Sequence, residues 1–96
     1  MYVIFVELDC VLCINSNFSV LAMKRLQTIV HSTNSKIVLS SNWRLFKSFK
    51  DRIYSLLAKY HIQIIDCTES TNDLRAFEIY KWVMKYKPHS CAIIDD

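Results

Sequence analysis

Two pairs of carboxylates close apolar runs in this chain. Glu7 and Asp9 stand at the end of Y-V-I-F-V-E-L, residues 2–8, and Asp95 and Asp96 follow A-I-I, residues 92–94. Glu7 and Asp9 are two apart, so on an extended backbone they point the same way. Four acids brought to one place repel one another unless a cation lies between them, and an all-oxygen donor set suits Mg²⁺. A third apolar run, Lys36–Leu39, ends in Ser40 and Ser41 just before a helix start. Hydroxyls and free N–H groups at a helix N-terminus form an anion site. Arg44 falls in the first turn of that helix, where a cation opposes the helix dipole, so a facing anion or acidic cluster explains it better than helix stability does. Taken singly, the acids read as ordinary strand ends or a solvated chain end, and the serines as N-caps. Taken together they mark one site.

The elements that must position these residues alternate. Residues 2–8 form a short, β-branched and aromatic run, which predicts a buried strand. Residues 18–30 carry an apolar stripe at Leu21, Leu26, Ile29 and Val30 and predict an amphipathic helix. Lys36–Leu39 predicts a second strand. Ser41 and Asn42 predict the cap of a helix over residues 43–60, with Trp43, Phe46, Ile53, Leu57 and Tyr60 at helical spacing. A third strand is expected at 62–65. A third helix is expected at 74–86, capped within Thr71, Asn72 and Asp73 and ended by Pro88. A fourth strand is expected at 92–94. Strand and helix alternating in this way give one three-layer α/β domain with a four-stranded parallel sheet. Ligands bind such sheets outside the carboxyl ends of the strands, at a switch in strand order. If the first and fourth strands are neighbours, all four carboxylates meet there.

Composition excludes several alternatives. With 96 residues there is room for one domain, and 52% hydrophobic against 22% charged residues describes a globular chain. Glycine is absent, which removes the dinucleotide fingerprint, the P-loop and the nucleophile elbow, since each needs glycine for close backbone approach. His31, His61 and His89 form no H-E-x-x-H. No apolar run is long enough to span a bilayer and no signal segment is visible, so a soluble, cytoplasmic protein without a membrane partner is expected. Cys10 and Cys13 form one C-x-x-C, but a zinc site would need Cys67 and Cys91 beside them, and buried free thiols are the expectation.

Charge is uneven along the chain. From Lys24 to Lys59 the basic residues are Lys24, Arg25, Lys36, Arg44, Lys47, Lys50, Arg52 and Lys59, against the single acid Asp51. Right-handed crossovers place the first two helices on one face of the sheet, so that face should be basic. It would fit the phosphate backbone of a nucleic acid; it is equally readable as a solvated lysine-rich face. The loops after the first and third strands are too short for an inserted cap domain, which leaves the site open to large phosphorylated substrates. Trp43 and Trp82 lie on amphipathic helices, where packing is favoured over base stacking.

These residues carry a family resemblance. I-F-V-E-L-D-C-V-L resembles the first motif of the haloacid dehalogenase (HAD) superfamily of phosphohydrolases. K-I-V-L-S-S-N-W-R resembles the second motif of one branch, the HAD-like domain of Swiss-Army-knife RNA repair proteins. L-R-A-F-E-I-Y-K-W is similar to that branch's R-x-x-E-I-x-x-W segment, and A-I-I-D-D to the acidic fourth motif. The resemblance covers nearly the whole chain, as a single domain over residues 1–96, and implies a Rossmann-like sheet of order 3-2-1-4 without a cap domain. It implies Mg²⁺-dependent phosphatase chemistry on phosphate groups, with nucleic-acid ends favoured as substrate. Glu7 would stand at the nucleophile and Asp9 at the acid/base. Ser40, with Ser41 and Arg44 beside it, would contact the phosphoryl group, and Arg75 would supply the neutralising charge. Glu7, Asp9, Asp95 and Asp96 would hold the metal. Lys87, at the far end of the third helix, is rejected for Arg75's role.

Three departures bear on activity. Glu7 replaces the expected aspartate, which moves the carboxylate by roughly 1.5 Å. Cys10 replaces the usual glycine, and the family's further strand and helix after the acidic motif are not found by residue 96. They open a second reading: a degenerate or truncated HAD-like domain that binds phosphate or RNA, or that pairs its exposed fourth strand with a protein partner.

Overall fold

The first apolar run forms strand β1 (Tyr2–Val6), whose last four residues are buried, as a central strand covered on both faces requires. The computed structural model describes residues 1–8, 11–14, 17–40, 46–69 and 74–95. After β1 the chain makes a small ribbon, β2 (Cys13–Ile14) paired antiparallel with β3 (Asn17–Phe18). Then follow α1 (Val20–Thr33), β4 (Lys36–Leu39), α2 (Lys47–Lys59), β5 (Ile64–Cys67), α3 (Arg75–Tyr86) and β6 (Ser90–Ile94).

The main sheet has the order β5-β4-β1-β6, and every neighbouring pair is parallel. Counted among these four strands in chain order, it reads 3-2-1-4. On one face Ile4, Val6, Ile37, Leu39 and Ile64 pack with Met23, Leu26 and Val30 of α1 and Ile53 and Leu57 of α2. On the other, Val3, Phe5 and Val38 pack with Ile79 and Trp82 of α3. Odd-numbered residues of β1 therefore face α3 and even-numbered ones face α1 and α2, the period of two that a strand imposes. Phe5 and Trp82 meet edge to face at 5.5 Å. Among the described residues no helix is long and apolar enough to cross a membrane.

Several expected boundaries move. The ribbon β2–β3 was not expected, since two-residue strands leave no periodic signal. α1 starts at Val20 because Ser19 caps it, its Oγ accepting the Ala22 N–H at 3.1 Å. The helix buries Met23, Leu26 and Val30, whereas Leu21 and Ile29 of the expected stripe lie exposed. α2 begins at Lys47, not at 43, and its N-cap is Phe46, which has no capping side chain. Ser41, Asn42, Trp43 and Arg44 lie outside the described residues. The third strand runs from Ile64 to Cys67, two residues later than expected, because Asp66, a polar residue, takes a ladder position. The fourth begins at Ser90, and Cys91 is exposed there, not buried, because β6 is an edge strand.

With no glycine in the chain, α1 and α3 end on residues carrying a Cβ in the left-handed region: Asn34 (φ 52°) and Lys87 (φ 48°). His61, just after α2, does the same at φ 58°.

Candidate active site

Register builds the site. Val6 pairs with Leu39 and with Ile94, and Leu39 pairs with Cys67. One residue beyond each partner lie Thr68, Ser40, Glu7 and Asp95, so a row of polar side chains crosses the carboxyl edge of the sheet in strand order. Backbone bonds extend the ladder to this row: the Ser40 N–H donates to the Val6 carbonyl, the Glu7 N–H to Ile94 and the Thr68 N–H to Leu39. Glu7, Ser40 and Thr68 are buried, at 3%, 1% and 3% exposure. Strand alternation aims Glu7 toward α3.

α3 begins where this row needs a cation. Arg75, its first residue, places Nη2 2.6 Å from Glu7 Oε2 and Nη1 2.9 Å from Asp95 Oδ2. One guanidinium thus bridges the ends of β1 and β6, a two-pronged geometry that lysine cannot make. A cation in the first helical turn opposes the helix dipole, so this position serves the carboxylates and not the helix. The other oxygen of Glu7, Oε1, accepts the Leu8 N–H at 2.8 Å. Both oxygens of this buried carboxylate are therefore engaged and the side chain is fixed in direction.

A second polar group lies farther along the same face. Asp66 accepts the Trp82 indole N–H on Oδ2 at 2.8 Å and the Cys67 N–H on Oδ1 at 2.8 Å. The Tyr54 hydroxyl lies 3.4 Å from the Cys67 Sγ. Burial first, then the Cys67 contact and the nearby charge of Asp66, push the Tyr54 phenol well above its ordinary value. These bonds tie β5 to α2 and α3 and serve packing. Trp82 is a buried core residue with a satisfied N–H, as its helical spacing suggests.

Of the site residues read from sequence, Glu7, Asp95 and Arg75 are brought into direct contact, and Ser40 occupies the adjoining strand end. Asp9, Ser41, Arg44 and Asp96 lie outside the described residues. Lys87 sits at the opposite end of α3 from Arg75. Thr68 is the residue that sequence reading missed. Its signal was positional: it follows its strand as Ser40 follows β4, and only the misplaced end of the third strand hid it.

The donor chemistry fits a hard divalent cation. Glu7 and Asp95 present carboxylate oxygens from neighbouring strand ends, and both already converge on one positive group. Among the described residues no three potential metal ligands gather, so a complete set would draw on Asp9 and Asp96.

Comparison with known proteins gives a family. A family model described as the HAD domain in Swiss Army Knife RNA repair proteins matches residues 3–96. No curated protein and no solved structure matches the chain.

Proposed function

The chain belongs to the family of HAD domains found in Swiss Army Knife RNA repair proteins, and from that premise we propose that it is a phosphomonoester hydrolase acting on nucleic-acid ends. The observation that carries this reading is the buried Glu7 carboxylate held by Arg75, which also grips Asp95. A fixed carboxylate beside a guanidinium, in a row with buried hydroxyls, suits an in-line attack on phosphorus. Phosphoryl transfer depends mainly on positioning and charge neutralisation.

In this mechanism a Glu7 oxygen attacks phosphorus and the bond to the leaving oxygen breaks. Asp9 protonates that oxygen, and a glutamyl-phosphate remains. Asp9 then removes a proton from water, which cleaves the acyl-phosphate, releases inorganic phosphate and regenerates Glu7. Ser40, with Ser41 and Arg44, holds phosphoryl oxygens. Arg75 neutralises the charge that Glu7 and the phosphoryl group share. Mg²⁺, held by Glu7, Asp95 and Asp96 with Asp9 contributing a backbone carbonyl, would supply electrostatic shielding between carboxylate and phosphate. The basic residues of α1 and α2, which share one face of the sheet, would attract the nucleic-acid backbone.

One observation favours a second reading, a domain that binds phosphate or RNA without turnover. Both Glu7 oxygens are already committed, to Arg75 and to the Leu8 N–H, and glutamate reaches farther than aspartate. The deciding experiment is phosphate release from 5′- and 3′-phosphorylated oligonucleotides, with and without Mg²⁺, for wild type, Glu7→Asp and Asp9→Asn. Mg²⁺-dependent release by wild type, lost in Asp9→Asn, is expected. Release by Glu7→Asp alone would make the second reading correct, and silence from all three would overturn the enzyme reading.

A further inference from the structure

The outer face of α3 is unusual for a helix on a water-facing surface. Its inner face is spent on Ile79 and Trp82. Directly opposite, Phe77, Tyr80 and Met84 are 48%, 56% and 53% exposed. They fall at a spacing of three and four, so they form one ridge along the helix. The Phe77 and Tyr80 rings stack, with centroids 6.2 Å apart and planes 28° from parallel. Lys81 lies over the Phe77 ring at 4.9 Å, and Lys85 lies over the neighbouring Tyr86 at 5.2 Å. The one acid of the helix, Glu78, is buried on the inner side. An exposed apolar ridge marks an interaction site. Aromatic faces with cations beside them, and no acid on the ridge among the described residues, match the chemistry of bases and phosphates better than that of an apolar or basic protein surface.

The ridge begins at the same end of α3 as the site but on the opposite side of the helix, since Arg75 shares the inner face with Ile79 and Trp82. Arg75 is the first residue of α3, and at about 1.5 Å per residue Phe77, Tyr80 and Met84 follow it by about 3, 8 and 14 Å along the axis. That is the span of a few nucleotides. The acids of this region, Asp66 and Glu69, line a groove on the β5 side, beside Lys81 and Lys85, and not the ridge itself.

We propose that the outer ridge of α3, centred on Phe77 and Tyr80 with Lys81 and Lys85, is a stacking track for single-stranded nucleic acid that runs along the helix from the end that carries Arg75. The inference rests on the phosphate-end reading only for its polarity, with the terminal phosphate at Arg75 and the strand passing round the start of α3 to the rings, on the face of the sheet opposite α1 and α2. Duplex is excluded as the preferred ligand because paired bases hide their faces.

The test is fluorescence anisotropy with a labelled single-stranded RNA dodecamer carrying a terminal phosphate, its unphosphorylated twin and the matching duplex. Wild type is compared with Phe77→Ala/Tyr80→Ala and with Phe77→Leu/Tyr80→Leu, each checked by circular dichroism. The leucine pair keeps apolar bulk and removes the π faces. At least tenfold weaker binding of the single strand by both variants is expected, at low and at moderate salt alike, since stacking is not a counterion effect. Lys81→Gln/Lys85→Gln should lower the salt dependence instead. Unchanged affinity in the alanine pair, retained affinity in the leucine pair, or equal binding of duplex would each overturn the track. So would an absence of RNA binding by wild type, and binding of an acidic or amphipathic protein partner at the ridge would replace it. Hydrolysis of p-nitrophenyl phosphate, which needs no track, is measured in parallel. Turnover there with no effect of the ridge variants on RNA sinks the track and leaves the phosphatase; the reverse result does the opposite.

Discussion

Arg75 Nη2 lies 2.6 Å from Glu7 Oε2, and the two side chains differ sharply in exposure: the carboxylate is 4% accessible and the guanidinium 33%. The acid is committed to the interior and its partner is not. Removing the partner leaves a buried charge without compensation, a loss larger than the pair's own net contribution. Arg75→Gln should therefore cost about 2 kcal/mol, discounted for the solvent around the arginine. A melting temperature roughly 10 °C lower should show it. Added Mg²⁺ should recover part of that loss in the variant and change wild type less, because wild type already has a cation there. A variant as stable as wild type without metal would count against the pairing.

The same pair can be replaced altogether. Glu7→Leu with Arg75→Met removes both charges and leaves Asp95 near the surface. Apolar replacement of a buried pair is often neutral or stabilising. Chemical denaturation should find the double variant at least as stable as wild type, while phosphate release falls to background. Each single variant should be less stable than the double.

Ser40 and Thr68 should separate in their effects. Ser40 adjoins Glu7 across the β1–β4 ladder, one strand nearer than Thr68. Ser40→Ala should lower kcat/KM on a phosphorylated oligonucleotide at least tenfold. Thr68→Val should lower it less. An equal or greater loss in Thr68→Val would move the phosphate toward β5.

Trp82 joins packing and polarity in one side chain, through Phe5 on one side and Asp66 on the other. Trp82→Phe keeps an aromatic ring and removes the indole donor, which should cost about 1–2 kcal/mol. In a double-mutant cycle with Asp66→Asn the two losses should fall short of additive, measured by urea unfolding. Strict additivity would mean that the bond contributes nothing.

The Tyr54 phenol should hold its proton well above the ordinary tyrosine range. Its folded value is raised above the ordinary 10.0, so the unfolded chain gives up this proton first. The stability that the neutral phenol contributes is complete below pH about 10 and falls as pH rises from there toward the folded value. Ultraviolet titration of wild type and Tyr54→Phe should differ only above the ordinary tyrosine range. A difference near the middle of the curve would place Tyr54 in water.

Much of this is legible in the sequence. The strand Lys36–Leu39 was readable in full, because a charged residue opens it and Ser40 closes it. Glu7, Asp95 and Arg75 could be placed at one edge because parallel strands put all their carboxyl ends together. What stayed hidden had physical causes. Asp66 disguised the third strand, since its polarity is satisfied by a tryptophan 16 positions later. Phe46 and Leu21 were read as core because periodicity reports spacing and not how far the sheet extends beneath a helix. The ribbon at Cys13 and Phe18 is held by local bonds that no hydrophobic pattern encodes.

Finally, the corners of the fold bear on how robust the protein can become. Asn34, His61 and Lys87 each turn the chain with a side chain in the left-handed region. For His61 and Lys87 that geometry costs about 1–2 kcal/mol which glycine would avoid, partly offset by glycine's greater freedom when unfolded. His61 and Lys87 lie far from Glu7 in the fold, one after α2 and one at the distal end of α3. The protein therefore has thermal headroom at corners that do not touch its chemistry. Engineering there could supply tolerance for the active-site variants, so that a failed assay reports on catalysis and not on collapse.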